Sequence, residues 1–286
     1  MCSQDSSLAD LLSDLEARLQ SLSDTPRLDA QVLLAHILGK PRSWLLAHPK
    51  EHLSPEQFKT FIHASTRLAD GEPLPYVLGH WEFYGMDFPV NPQVLIPRPE
   101  TELLVDYALD WLRAHPERRW AADIGTGSGC IAVVLVSMIP NLHMLATDIS
   151  LPALEVARAN AQKYSIADRI EFVQADLLNF PPSAPFDLLC ANLPYIPSPD
   201  LSALAVTKWE PTLALDGGPD GLDLIHRLLQ QASSHLASGG LILLEIEATQ
   251  GSRALTLAQD IFPNALTQVC QDLSGRDRLL EVQLPE

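Results

Sequence analysis

The chain has 286 residues, more than one small domain needs, so a large domain joined to a smaller one is the starting expectation. Hydrophobic residues make up 47% of it, enough for a sizeable core and against disorder over most of the length. Thirty-six acidic residues against 19 Lys plus Arg leave a formal charge of −17, which disfavours duplex nucleic acid as a partner, because that binding rests on neutralising phosphates.

No apolar run reaches ~18 residues, so no membrane span is expected. Met1-Cys2-Ser3-Gln4-Asp5 lacks the basic start and apolar stretch of a secretory signal. Cys2, Cys130, Cys190 and Cys270 lie far apart with no paired spacing, so neither a metal site nor a disulfide framework is indicated. The cytoplasm is the expected location.

Residues 7–70 read as helices. Leu8, Leu11, Leu12, Leu15 and Leu19 recur at three- and four-residue spacing. A second helix covers Leu28 to Leu38, with Gly39 and Pro41 as its stop. Ser54-Pro55-Glu56-Gln57 opens a third, with serine as N-cap and Gln57 placed for a capping box. His36, His48, His52 and His63 fall here without metal spacing and read as surface or packing residues. Gly71 to Tyr76 breaks the pattern, giving a helical bundle over 1–75.

Residues 76–97 form a connector in which Trp81, Phe83, Tyr84 and Phe88 alternate with small and polar residues, as in a hairpin. Pro97-Arg98-Pro99 holds Arg98 extended, and Thr101 is placed to cap the helix carrying Leu103 to Leu109. Glu100 and Glu102 suit that helix's positive end. The segment reads equally as helix-start chemistry or as a cover over an active site.

From Trp120 short apolar runs alternate with helices, the signature of a mainly parallel sheet, so residues 98–286 read as one α/β domain. Strand Ala121–Ile124 runs into Gly125-Thr126-Gly127-Ser128-Gly129 and then a helix, an arrangement that brings a ligand to the helix N-terminus. A second strand ends at Asp148, about 20 positions past the turn, where a carboxylate suits ribose hydroxyls; capping the next helix is the alternative. A third ends near Asp176, an acceptor for an adenine amine with Leu177 against the ring, or else a turn aspartate.

The fourth strand, Phe186 to Cys190, delivers Ala191-Asn192-Leu193-Pro194-Tyr195 to the same edge, where open α/β sheets bind ligands. An amide or exocyclic amine is a poor nucleophile, because its lone pair is delocalised. The Asn192 oxygen and the carbonyl of residue 193 can hold its hydrogens while the Tyr195 ring covers the flat group. A stiffened turn with Tyr195 in the core is the alternative. Glycine turn, ribose acid, adenine acid and reactive edge in that order match an S-adenosylmethionine methyltransferase better than a dehydrogenase. No P-loop motif is present.

Helix Leu222 to Leu236 is expected to end at Gly239-Gly240, followed by strand Leu241–Ile246, in which Glu245 needs a partner if buried. A helix from Thr249 to Asp260 and a hairpin turning at Ser274 to Asp277 complete the chain.

Leu95 to Glu102, Asp123 to Ala132, Ala191 to Ile196, and Glu210-Pro211 with the Leu213–Leu222 loop together resemble the HemK/PrmC family of release-factor glutamine methyltransferases. The resemblance implies a Rossmann-like seven-stranded S-adenosylmethionine-dependent methyltransferase domain with a small N-terminal helical domain for substrate recognition. It implies methyl transfer to the glutamine amide nitrogen of the Gly-Gly-Gln motif of peptide chain release factors. Gly125, Thr126, Gly127, Ser128, Gly129, Asp148, Asp176, Leu177 and Asn192 would contact the cofactor, and Asn192, Leu193, Pro194 and Tyr195 would hold the glutamine. Leu193 stands where the family usually has proline, Thr212 where arginine is common, and Glu247 where glycine is frequent. Glutamine methylation of another protein, such as a ribosomal protein, is an alternative. Adenine-N6 methylation of DNA is a second, disfavoured by charge and by the lack of a basic target domain. A non-catalytic scaffold is a third, and the intact glycine turn and Asn192 count against it.

Overall fold

A computed structural model describes residues 3–181 and 184–286; Met1 and Cys2 lie outside the described residues. The chain divides into two compact units, the first ending at His80 and the second running Trp81–Glu286.

The first unit is helical: α1 (Leu8–Leu19), α2 (Pro26–Leu38), α3 (Arg42–Ala47), α4 (Pro55–Ala69) and α5 (Leu74–Leu78). Leu8, Leu11, Leu15 and Leu19 are all buried, as their spacing requires. The expected capping box at Ser54 and Gln57 forms, and a second joins Ser7 and Asp10. α3 and α5 were not expected. Each is short and opens next to a proline, so turn chemistry masks it in the sequence.

The second unit begins within β1 (His80–Phe83), which pairs with β2 (Met86–Pro89) in a two-stranded sheet followed by α6 (Glu102–Ala114). The main sheet takes its strands from β3 (Trp120–Ile124), β4 (His143–Asp148), β5 (Ile170–Gln174), β6 (Phe186–Ala191), β7 (Leu236–Glu245), β8 (Leu266–Gln271) and β9 (Asp277–Gln283). Their order is β5-β4-β3-β6-β7-β9-β8, with β9 antiparallel to both neighbours and the other pairs parallel. The intervening helices are α7 (Cys130–Met138), α8 (Leu151–Lys163), α9 (Asp223–Ala232) and α10 (Gly251–Ile261). This is the expected seven-stranded α/β fold.

Both faces of the sheet are covered, which explains why its strands read as continuous apolar runs. Leu188 and Cys190 join the α6–α7 side of the core, while Leu189 and Ala191 point to the α9–α10 side with Ile225, Leu228 and Ala254. One expectation fails. α9 stops at Ala232, and Gly239-Gly240 lies inside β7 instead of ending a helix. Pairing of β6 with β7 starts at Phe186 and Leu236, then shifts register before Leu188 meets Leu241. Gly239 takes φ +67° in this bulge, and a Cβ there would press on Arg118 and Glu286.

Register sets up the site. Ile124 pairs with Thr147 and with Ala191, and Ala191 pairs with Leu244. The next residue on each strand is therefore Gly125, Asp148, Asn192 or Glu245, a row along the carboxyl ends of four parallel strands.

Candidate active site

A cavity of about 540 Å³ opens at that edge, within the usual range for small-molecule sites. Its wall includes Gly125, Thr126, Gly127 and Ser128 of the glycine turn, together with Asp148, Asp176, Leu177, Asn192, Leu193 and Pro194. Gly129, the last residue of the turn, is instead the N-cap of α7.

The glycine turn forms one side. The Gly127 N–H donates to Asp148 Oδ2 at 2.9 Å, tying the turn to the tip of β4. The other carboxylate oxygen of Asp148 accepts from the Ser150 N–H at 2.8 Å. The helix-capping role falls to Ser150, whose hydroxyl accepts from the Ala153 N–H. Asp148 is therefore oriented by backbone amides and still lines the cavity. Burial raises its pKa, opposed by those amide bonds. Behind the turn, the Thr126 hydroxyl donates to the fully buried Asp123 at 2.6 Å, and burial pushes that carboxyl up to about 7.

Gly125, at φ +72°, admits a close neighbour: a Cβ there would sit 2.9 Å from the Leu193 side chain. Leu193 is itself buried with Leu177 and Leu222. Leu193 thus packs inward and seals the turn against the fourth strand's end.

At the far side Asp176 Oδ2 accepts from Arg227 at 2.6 Å, and Arg227 also lines the cavity. Leu177 holds a left-handed backbone, φ +57°, which is uncommon for a leucine and concentrates at functional sites.

Asn192 is half-buried and lines the cavity. Its Nδ2 donates to Thr101 Oγ1 at 2.9 Å, so Oδ1 is the amide's remaining polar atom. Thr101 flanks α6 but makes no capping bond with its side chain, contrary to the sequence expectation; its hydroxyl is engaged by Asn192. Tyr195 is not part of the cavity wall. Its hydroxyl donates to Glu245 Oε1 at 3.3 Å, and its carbonyl accepts from Gln250. Glu245 is buried, and burial pushes its carboxyl up to about 7 against the opposing pull of Thr101, Arg278 and Tyr195.

The Pro97–Thr101 segment does enter the cavity wall. Buried Glu210 holds it: one carboxylate oxygen pairs with the Arg98 guanidinium and the other accepts from the Ile96 N–H. Thr101, Glu210 and Leu213 lie in segments that carry the family resemblance without a role of their own being legible there, and Arg227 lies in no motif. The doubled prolines around Arg98 and the apolar-strand position of Glu245 were further signals.

The cavity thus offers the Asp148 carboxylate beside the glycine turn, the Asp176 carboxylate at the far side and the Asn192 carboxamide oxygen, between largely apolar walls. That suits a ligand with hydroxyls and an amine at one end and a flat amide reacting at the other.

The chain matches the family model described as PrmC N-terminal domain over residues 10–79, and one described as Methyltransferase domain over residues 121–209. It is 45% identical to the release factor glutamine methyltransferase of Moorella thermoacetica, across 89% of this chain and 90% of that protein. It is 36% identical to the enzyme of that name from Rhodopirellula baltica, across 91% and 90%. Among solved structures, a ribosomal protein L11 methylase from Lactobacillus delbrueckii shares the fold at TM-score 0.50 and 22% identity, covering 69% of this chain and 84% of that one. With such identity over nearly its whole length, the chain belongs to the release factor glutamine methyltransferase family.

Proposed function

We propose that the chain transfers a methyl group from S-adenosylmethionine to the side-chain amide nitrogen of the glutamine in the Gly-Gly-Gln motif of peptide chain release factors. The observation that carries this reading is the row Gly125, Asp148, Asn192 along adjacent strand ends, which brings the glycine turn and the Asn192 carboxamide into one cavity.

The residues fit the cofactor. Gly125 to Ser128 leave a wall free of bulky side chains, Asp148 is aimed by two amides at hydroxyl donors, and Asp176 with Leu177 suits an amine on a flat ring. When bound, the cofactor supplies an electrophilic methyl on sulfur. The chain's own residues then act by positioning. Asn192 Oδ1 and the Leu193 carbonyl accept the two hydrogens of the glutamine amide and turn its nitrogen toward the methyl group. Pro194 fixes the backbone that carries both acceptors. Tyr195 supports this edge through Glu245.

We assign residues 1–75 to recognition of the release factor, 76–97 to a hairpin connector, and 98–286 to catalysis. No described helix is long and apolar enough to cross a membrane, and the cytoplasm, where release factors act, is the proposed location.

The test is incubation with methyl-labelled cofactor and, in separate reactions, a purified release factor, a ribosomal protein and duplex DNA. One labelled methyl on the Gly-Gly-Gln peptide supports the assignment; label confined to DNA or to the ribosomal protein overturns it.

A further inference from the structure

The chain leaves β6 at Ala191 and runs through Asn192, Leu193 and Pro194, a stretch outside the sheet ladder whose proline has no N–H to anchor it. Its far end is tied down by backbone bonds. The Ile196 N–H donates to the Leu215 carbonyl at 3.0 Å, and the Ile196 carbonyl accepts from the Gly217 N–H at 2.8 Å. Between these ties and Pro194, the Tyr195 carbonyl accepts from Gln250 Nε2 at 2.9 Å. Gln250 is buried and stands at the N-cap position of α10, yet its side chain makes no capping bond. Its Oε1 accepts instead from the Glu247 N–H at 3.1 Å. A backbone N–H can pair only with the oxygen end of an amide, so the NH₂ end of Gln250 is committed to Tyr195.

Two glycines make room for this contact. Gly221 holds φ +80°, and a Cβ there would press on the Tyr195 carbonyl oxygen and sit 2.5 Å from Gln250 Nε2. A Cβ on Gly217 would sit 2.7 Å from the Pro194 carbonyl oxygen and 2.7 Å from Tyr195 Cα. Upstream, the buried Leu193 side chain is pinned against Gly125. The Leu193–Pro194 peptide is thus fixed on both flanks, and the proline ring removes one of the torsions left to it.

We infer that Gln250 is a positioning residue for methyl transfer: through the gap at Gly221 it holds the Tyr195 carbonyl and so fixes the direction of the Leu193 carbonyl that accepts from the substrate amide. The inference rests on the reading of that carbonyl as the acceptor for the glutamine. Gln250 touches neither substrate nor cofactor. Its effect is on aim, and a misplacement of about 1 Å at a reacting centre costs up to about a hundredfold in rate.

The test uses the full chain with Gln250→Met, which keeps the side chain's length and removes its donor, with Gly221→Ala, which crowds the same bond, and with the double variant. Gln250→Met and Gly221→Ala each lower kcat on the release factor by at least about tenfold, while the KM for release factor and the cofactor Kd stay within about threefold. Both act on one hydrogen bond, so the double variant is no slower than the worse single one. A merely structural role would lower the melting temperature and leave kcat at saturation intact. Tyr195-Ile196 is the one Tyr-Ile pair in the sequence, so ¹³C-carbonyl tyrosine with ¹⁵N-isoleucine gives a single NMR correlation for this peptide. Without any substrate, that correlation moves in Gln250→Met. A loss in kcat smaller than about tenfold in Gln250→Met, an equal loss in cofactor affinity, multiplied losses in the double variant, or an unmoved correlation overturns the inference. If Gly221→Ala does not fold, Gln250→Met decides alone. A wild-type chain inactive on release factors refutes the functional reading instead, and the Tyr195–Ile196 signal still decides whether Gln250 holds this peptide.

Discussion

Asp148→Ala provides a quantitative probe of the cofactor end of the cavity. In the wild type both carboxylate oxygens are aimed by backbone amides, at 2.9 Å from Gly127 N and 2.8 Å from Ser150 N. Each oxygen keeps accepting capacity for a ribose hydroxyl. Hydrogen bonds to charged groups contribute about 1.5–3 kcal/mol, so losing a bidentate ribose contact costs about 3 kcal/mol after water replaces part of it. That corresponds to roughly a hundredfold rise in cofactor Kd. Water entering the cavity can satisfy the two released N–H groups, so overall stability changes little beside the affinity. Isothermal titration with S-adenosylmethionine reads the effect directly. Kinetics at saturating cofactor should show kcat within about threefold of wild type, because the amide-holding edge at Asn192 is untouched. A Kd within about threefold of wild type would refute the assignment of Asp148 to the ribose.

Other expectations follow from the same geometry. Asn192→Ala removes the acceptor that orients the reacting amide, so kcat falls about 10²–10³-fold, as for loss of one preorganised hydrogen-bonding group, with cofactor Kd nearly unchanged; equal losses in both would remove its role. Glu210→Ala strands the Arg98 guanidinium and the Ile96 N–H, and since Arg98 is one-third exposed the destabilisation is about 2–3 kcal/mol, at the lower end for a broken buried pair, readable by urea unfolding. Asp123 has its folded-state pKa raised from 3.8 to about 7, so the native state binds the extra proton between those values. Its contribution to stability is therefore complete below the unfolded value and is lost as pH rises toward 7. Asp123→Asn should flatten the fall in melting temperature between about pH 4 and 7 relative to wild type, and an unchanged slope would contradict the burial argument.

What the sequence revealed was whatever repeats locally. The leucine spacing of α1, the Ser54 capping box and the apolar runs of β3, β4 and β6 each follow from the chemistry of a few consecutive residues. The glycine turn, Asp148, Asp176 and Asn192 were legible because each sits one or two residues past such a run, where strand geometry alone places it at the edge. The misreadings involve long-range competition. Thr101 looks like a helix cap, yet Asn192, 91 residues away, takes its hydroxyl. Tyr195 was expected to cover the substrate with its ring, and the partner of its hydroxyl, Glu245 across the β6–β7 boundary, has no signal in the local sequence. Gly239-Gly240 reads as a helix stop because a β-bulge and a helix C-terminus both require a left-handed glycine, and only the partner strand distinguishes them. Glu210 stood out only as part of a motif shared with a family, because its partners Ile96 and Arg98 are more than a hundred residues away and nothing local foretells the pairing.

The most direct measurement of the central claim is a crystal structure of the chain with S-adenosylhomocysteine and a glutamine-containing Gly-Gly-Gln peptide. The account predicts ribose hydroxyls on Asp148, the adenine beside Asp176 and Leu177, and the peptide carboxamide held by Asn192 Oδ1 and the Leu193 carbonyl with its nitrogen facing the sulfur. A peptide carboxamide bound away from Asn192, or Asn192 presenting its NH₂ to it, would contradict the account.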